Sequence, residues 1–343
     1  MLLAYPKILK LSFILFLVLI SSNIVAAEYV NIYSARKENL IKPVLKKFYK
    51  ETGIKVRLLT GKADALLKRI KLEGPNTHAD LLLTTDAGRL YRAKQSGILQ
   101  SYKSKIINTN IPSHWRDPDN YWFGLSLRAR PVFISNDSPI KLDKNFNYED
   151  LASKKYKHKI CIRSSNNIYN QSWLASLIEA NGIQQTQSWA NAFVENFARQ
   201  PKGGDKDQIM ALAAGQCEIA IANTYYYGQM LNSNNKYRQA AEQVHIVWPN
   251  QSNRGVHVNV SGIGITKYAK NITNAQKLVE FLSSDEQQQW YAASNYEFPV
   301  NPNIEASEIL QQWGKFKADK LNLNILGEYN AEAVKIMDRA NWR

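Results

Sequence analysis

The run NYWFGLSLRARPVFIS (Asn120–Ser135) carries apolar side chains from Trp122 to Ile134, a stretch longer than one ordinary strand. An extended run of that length predicts a chain that leaves one folded unit and enters another. A second extended run, GVHVNVSGIGIT (Gly255–Thr266), reads as the return crossing.

Upstream of the first crossing, strand and helix patterns alternate. YVNIYSA (Tyr29–Ala35) predicts a strand, after which Leu40, Ile41, Val44, Leu45 and Phe48 recur at helical spacing until Gly53, with Pro43 leaving the helix start open. IKVRLLT (54–60), ADALLKRIKLEG (63–74) and ADLLLTT (79–85) then read as strand, helix and strand, which completes a β-α-β-α-β unit by Thr85. A helix from Ala87 to Ser96 follows. Between the crossings, KICI and EIAIAN predict strands, with helices over Gln171–Ala180, Thr186–Ala198 and KDQIMALAAG. One long helix, NAQKLVEFLSSDEQQQWYAAS (274–294), follows the return. The expected fold class is α/β and two-lobed, each lobe a mixed, mainly parallel sheet flanked by helices, with two extended hinge crossings. In such sheets ligands bind beyond the carboxyl ends of the strands, so chemistry is sought in the loops that follow them.

With 343 residues, 45% of them hydrophobic, the chain can bury two moderate cores. Its first 27 residues set Lys7 and Lys10 before an apolar run from Leu11 to Ile20 and end in Val25-Ala26-Ala27. That is the layout of a cleavable export signal, and the apolar run is too short to span a bilayer. No cysteine lies near the cleavage point, so a free protein in the periplasm is expected, with no stable membrane anchor. The formal charge of +15 falls to +13 without the two leader lysines. The cations are scattered, with no basic run beyond KKYKHK (154–159), and export argues against a nucleic-acid partner. Cys161 and Cys217 are the only cysteines. In an oxidising compartment a disulfide is the first expectation and buried free thiols the alternative. His78, His114, His158, His245 and His257 are spread without metal-ligand spacing, and two distant cysteines do not make a zinc site.

Four polar loops follow predicted strands: YSARKE, TTDAGR, RSSNNIYNQS and NTYYYG. The last holds three consecutive tyrosines, Tyr225 to Tyr227. Where a strand gives way to a turn, two adjacent phenols can face one cleft, and Tyr169 in the RSSNNIYNQS loop brings a third to the same lobe. Phenol ionises near pH 10, so only a hard, highly charged cation such as ferric ion displaces its proton at neutral pH. A softer divalent ion prefers thiolate or imidazole, which these loops lack. Tyrosine clusters also line core rims, sugar platforms and cages for cationic amines, and these remain competing readings.

Taken together, NIYSARKE (Asn31–Glu38), ADLLLTTDAGRL (Ala79–Leu90), GLSLRAR (Gly124–Arg130), ICIRSSNNIYNQS (Ile160–Ser172) and IANTYYYG (Ile221–Gly228) resemble the periplasmic ferric-ion-binding proteins of bacterial ABC iron importers, which have the type II periplasmic binding protein fold. The resemblance implies that Tyr225 and Tyr226 are paired Fe(III) ligands and Tyr169 a third. Tyr227 matches no ligand. Arg128 matches an arginine beside the metal or its companion anion, carbonate or another. Many relatives add a histidine, a tyrosine or both from the first loop. This chain has Lys37 and Glu38 there, so Lys37 is expected to hold an anion, while Glu38 is a further candidate ligand or opens the following helix. The lobes implied are 28–131 with 261–301, and 132–260 with 302–343. The partners implied are a permease and an ATPase, serving a monomeric binding protein that is not an enzyme. An oxyanion or polyamine binder of the same fold, or an exported enzyme using a tyrosine and Lys37 as acid and base, are the rival functions.

Overall fold

Among residues 28–343, which the computed structural model describes, the apolar runs assemble into two sheets; the expected leader, 1–27, lies outside the described residues. The first sheet receives β1 (Tyr29–Ser34), β2 (Lys55–Thr60), β3 (Leu81–Thr85), β4 (Leu99–Gln100) and β5 (Phe123–Ala129). The second takes β6 (Val132–Ser135), β7 (Ile160–Cys161), β8 (Ile219–Ile221) and β9 (Val244–Val247), and the chain then returns to the first through β10 (Val258–Thr266) and β11 (Phe298–Pro299). The orders are β11-β5-β10-β3-β1-β2, with β4 beside β10, and β7-β8-β6-β9. No helix among the described residues is long and apolar enough to cross a membrane.

Both sheets are mixed, but parallel pairing is narrower than expected. It joins β1 to β2 and β3, and β7 to β8. The crossing strands account for the difference. β10 enters the first sheet against the direction of β3 and β5, and β6 runs against β8 and β9 in the second. Every residue of β10 is buried, which fits a central strand covered on both faces.

The first helix, Glu38–Thr52, buries Ile41, Val44, Leu45 and Phe48 and ends at Gly53, whose N–H donates to the Tyr49 carbonyl and whose φ of 72° turns the chain out of the helix. Pro43 lies inside this helix, beyond its first turn, where it removes the donor for the Asn39 carbonyl. The helix expected from Gln171 starts earlier, at Ile168, because the Asn167 side chain accepts from the Tyr169 N–H at 3.0 Å. The single helix expected over 274–294 is two, Ile272–Ser283 and Asp285–Asn295, divided at Ser284.

Cys161 and Cys217 are joined in a disulfide with Cα atoms 5.8 Å apart, fastening the β7–β8 edge. Trp173 gathers Tyr148, Trp189, Phe193 and Trp342, so the chain's last turn packs into the core beside the second sheet.

The crossings are bound to one another. Arg130, between β5 and β6, donates its N–H to the His257 carbonyl at 3.0 Å. The Tyr148 hydroxyl donates to the Arg130 carbonyl at 2.8 Å and accepts from the His257 N–H at 3.2 Å. Burial, then the charges of Arg130, Arg128 and Arg254, pushes the His257 imidazole down to about 3 from its ordinary 6.5. The unfolded chain therefore binds a proton on this histidine that the folded chain refuses. Stability from this source is complete above pH 6.5 and is lost as pH falls toward 3. Replacing His257 with asparagine is expected to shrink the loss of unfolding free energy between pH 7 and pH 4 by a few kcal/mol. Urea titrations at both values check this, and equal losses in the two proteins would contradict it.

Candidate cleft site

Because β7 and β8 are parallel neighbours, the helices that follow them begin side by side. Both deliver tyrosines in their first turn. Tyr169 is the second residue of Ile168–Asn181, and Tyr225 and Tyr226 are the second and third of Thr224–Leu231, a helix where a turn was expected. Tyr225 donates to the Tyr169 hydroxyl at 3.2 Å, and the Tyr225 and Tyr226 rings lie 4.1 Å apart. Tyr227 points the other way, packing on Phe133 and donating to the Val244 carbonyl at 3.1 Å. Three phenols thus converge at two helix N-termini, where the backbone dipoles favour negative charge.

Without a cation Tyr225 and Tyr226 keep their protons. Burial first, then the neighbouring Tyr169, pushes the Tyr226 phenol up to about 12, and the same influences hold Tyr225 well above its usual range. Ionising two or three of the phenols together requires a compensating charge. Among the described residues no three His, Cys, Asp or Glu side chains group as metal ligands, so no imidazole or thiolate site competes.

The pocket, about 280 Å³, is closed on its other side by Ala35, Arg36, Lys37, Leu40, Thr85, Arg128, Asn295 and Glu297. Arg36 donates to Glu297 at 2.5 Å and to Ser261 at 2.8 Å. Burial raises the Glu297 carboxyl, but the Arg36 and Arg128 charges outweigh it and hold the group below its usual range. Arg128 is 1% exposed, and its Nη1 reaches Ser261 only at 3.4 Å. Its Nε and Nη2 have no hydrogen-bond partner, the nearest carboxylate oxygen, on Asp86, being 3.9 Å from Nη2. A buried guanidinium with free donors at a pocket wall is suited to an anion. Lys37 lines the pocket. Glu38 does not: as the first residue of its helix it turns outward, half exposed, to pair with Lys42 one turn on.

Arg36 and Glu297 escaped the sequence reading, since 261 positions separate them and nothing local marks either one. Gly228 had a weak signal as the glycine closing the tyrosine motif. A Cβ there would lie 2.5 Å from the Tyr296 Cβ, across the cleft beside β11. Gly228→Ala is therefore expected to wedge the two sheets apart. Small-angle scattering would show a larger radius of gyration, and an unchanged radius would argue against this contact.

A family model described as bacterial extracellular solute-binding protein matches residues 76–318. Iron uptake protein A1 of Synechocystis is 46% identical over 317 residues, covering 92% of this chain and 88% of that protein. Two solved structures superpose along their length. A Trichodesmium protein in complex with iron and citrate ligands has a TM-score of 0.89 at 44% identity, covering 92% of this chain and 100% of that one. Ferric iron-binding protein A of Mannheimia haemolytica in an open conformation has a TM-score of 0.87 at 42% identity, covering 92% and 99%. Since the family match takes in strands of both sheets and both crossings, the chain belongs to the bacterial extracellular solute-binding protein family.

Proposed function

We propose that this protein captures ferric iron in the cleft through the phenolates of Tyr169, Tyr225 and Tyr226 and hands it to a permease driven by an ATPase. The observation that carries this is the meeting of three phenols at two helix N-termini, with the Tyr225 and Tyr169 hydroxyls 3.2 Å apart and burial holding the protons on Tyr225 and Tyr226. Only a hard trivalent cation makes that cluster ionise at neutral pH, and three phenolates balance its formal charge. The iron uptake and ferric-binding names of the relatives, and the iron and citrate of the Trichodesmium complex, support the same cargo.

The opposite wall offers the cations Arg36, Lys37 and Arg128 against the single carboxylate Glu297, an excess of two positive charges. The coordination positions facing that wall therefore go to water or to an oxygen anion, carbonate or citrate, held by Arg128 and Lys37. Lys206 adds a further positive charge nearby, since burial and then the charge of Lys37 hold its ammonium below the usual value. Glu38 keeps its place at the helix start and is not among the ligands. The leader directs the chain to the periplasm. The lobes 28–131 with 261–301 and 132–260 with 302–343 close by bending at the crossings. The role is binding, without turnover.

The deciding experiment titrates the metal-stripped protein with ferric citrate while recording the visible spectrum and proton release. A phenolate-to-iron band saturating at one iron per chain, with protons released as it grows, is expected. No band at any loading would refute ferric binding, and the free donors of Arg128 would then make an oxyanion the cargo to test.

A further inference from the structure

We propose that Arg130 is a positioning residue for the phenol cluster: its guanidinium sets the spacing of the Tyr169 helix and the Tyr225–Tyr226 helix and ties that spacing to the hinge. This inference rests on the ferric reading of the site. Arg130 itself does not line the pocket. Its Nη2 donates to the Asn170 side-chain oxygen at 2.6 Å, and Asn170 is the residue after Tyr169. Its Nη1 donates to Asn223 at 3.0 Å, two residues before Tyr225, and to Asp205 at 3.0 Å. Asp205 closes the ring, accepting the Asn223 N–H at 2.7 Å and Arg163 at 3.1 Å. Asn170 in turn donates to the carbonyls of Arg163 and Ser164, the loop that leads from β7 into the Tyr169 helix.

All four central members, Arg130, Asn170, Asp205 and Asn223, are buried at 2% exposure or less. A rigid planar fork, with each arm on one tyrosine-bearing segment, fixes the gap between them more tightly than the flexible ammonium of lysine would. The same residue's main chain is clamped between His257 and Tyr148 where the crossings meet. A bend at the crossings is therefore felt by the two segments that carry the phenols. Residues that orient metal ligands from behind are worth about 10–100-fold in metal affinity when removed.

The test compares wild type with Arg130→Lys, which keeps the charge and loses the fork, and with Arg130→Gln combined with Asp205→Asn, which removes both charges so that neither is stranded. Phe193→Leu, in the aromatic cluster of the same half and away from the ring of polar groups, controls for lost stability. Each protein is loaded with ferric citrate at 25 °C, and the visible band and the rate of iron loss to excess EDTA are recorded beside the melting temperature. Both Arg130 variants are expected to release iron about tenfold or more faster and to show a displaced band, while Phe193→Leu keeps both at matched melting temperature. If the arginine variants fail to fold, Asn223→Ala removes one acceptor, keeps every charge and is expected to change both readouts in the same direction. Wild-type release and an unmoved band in the variants that fold would overturn the inference, as would equal acceleration in Phe193→Leu. A wild type that shows no band would remove the ferric reading, and this inference with it. A coloured wild type with unmoved variants would remove this inference alone.

Discussion

Replacing Tyr226 with phenylalanine is expected to remove most of the visible phenolate-to-iron absorption and to weaken ferric binding by more than about 100-fold, since residues behind the ligands are already worth about 10–100-fold. The substitution deletes one oxygen and leaves the ring, so packing against Tyr225 survives. A charge-balanced set of three phenolates becomes two, and the cation loses its compensation in a buried site. Tyr227→Phe is the internal control. Its hydroxyl serves only the Val244 carbonyl, so the colour should persist. A Tyr226→Phe protein with the wild-type spectrum would rule out this residue as a ligand.

Arg128→Gln should act on the anion instead of the metal. Two donors of the buried Arg128 guanidinium lack partners, and the wall around it carries excess positive charge. Wild-type affinity for ferric ion is expected to rise when bicarbonate or citrate is supplied, and Arg128→Gln is expected to lose most of that dependence while keeping the phenolate band. A charge-assisted hydrogen bond is worth about 1.5–3 kcal/mol, which corresponds to roughly tenfold or more in the anion effect. Parallel titrations with and without each anion measure it. Identical anion dependence in both proteins would place the anion elsewhere.

The crossings were legible because an extended apolar run from Trp122 to Ile134 fits no single element, and the three phenols because strand ends are where such sheets present side chains. Three kinds of information were not. Strand direction depends on which edge a crossing chain enters, and nothing within GVHVNVSGIGIT says that β10 will lie between β3 and β5. Helix starts at Ile168 and Thr224 depend on backbone N–H groups and on side chains such as Asn167, which read equally well as loop residues. Long-range charge pairs are hidden for a different reason. Arg36 finds Glu297 only after both crossings are in place, and Arg130 and Asp205 are brought together across 75 positions. Glu38 shows the reverse case: a carboxylate at a suggestive position was claimed by its own helix.

All three phenols belong to helices that follow strands of one sheet, so on the ferric reading the cargo rides on a single half of the molecule. On that reading, separating the halves would strip away an anion and a wall of cations without breaking a bond between protein oxygen and iron. Opening would then expose the load without dropping it. Unloading falls to whatever meets the exposed ion next, whether a proton donor, a reductant that lowers its charge or a stronger chelating face on the permease, and the receiver, not the hinge, keeps time.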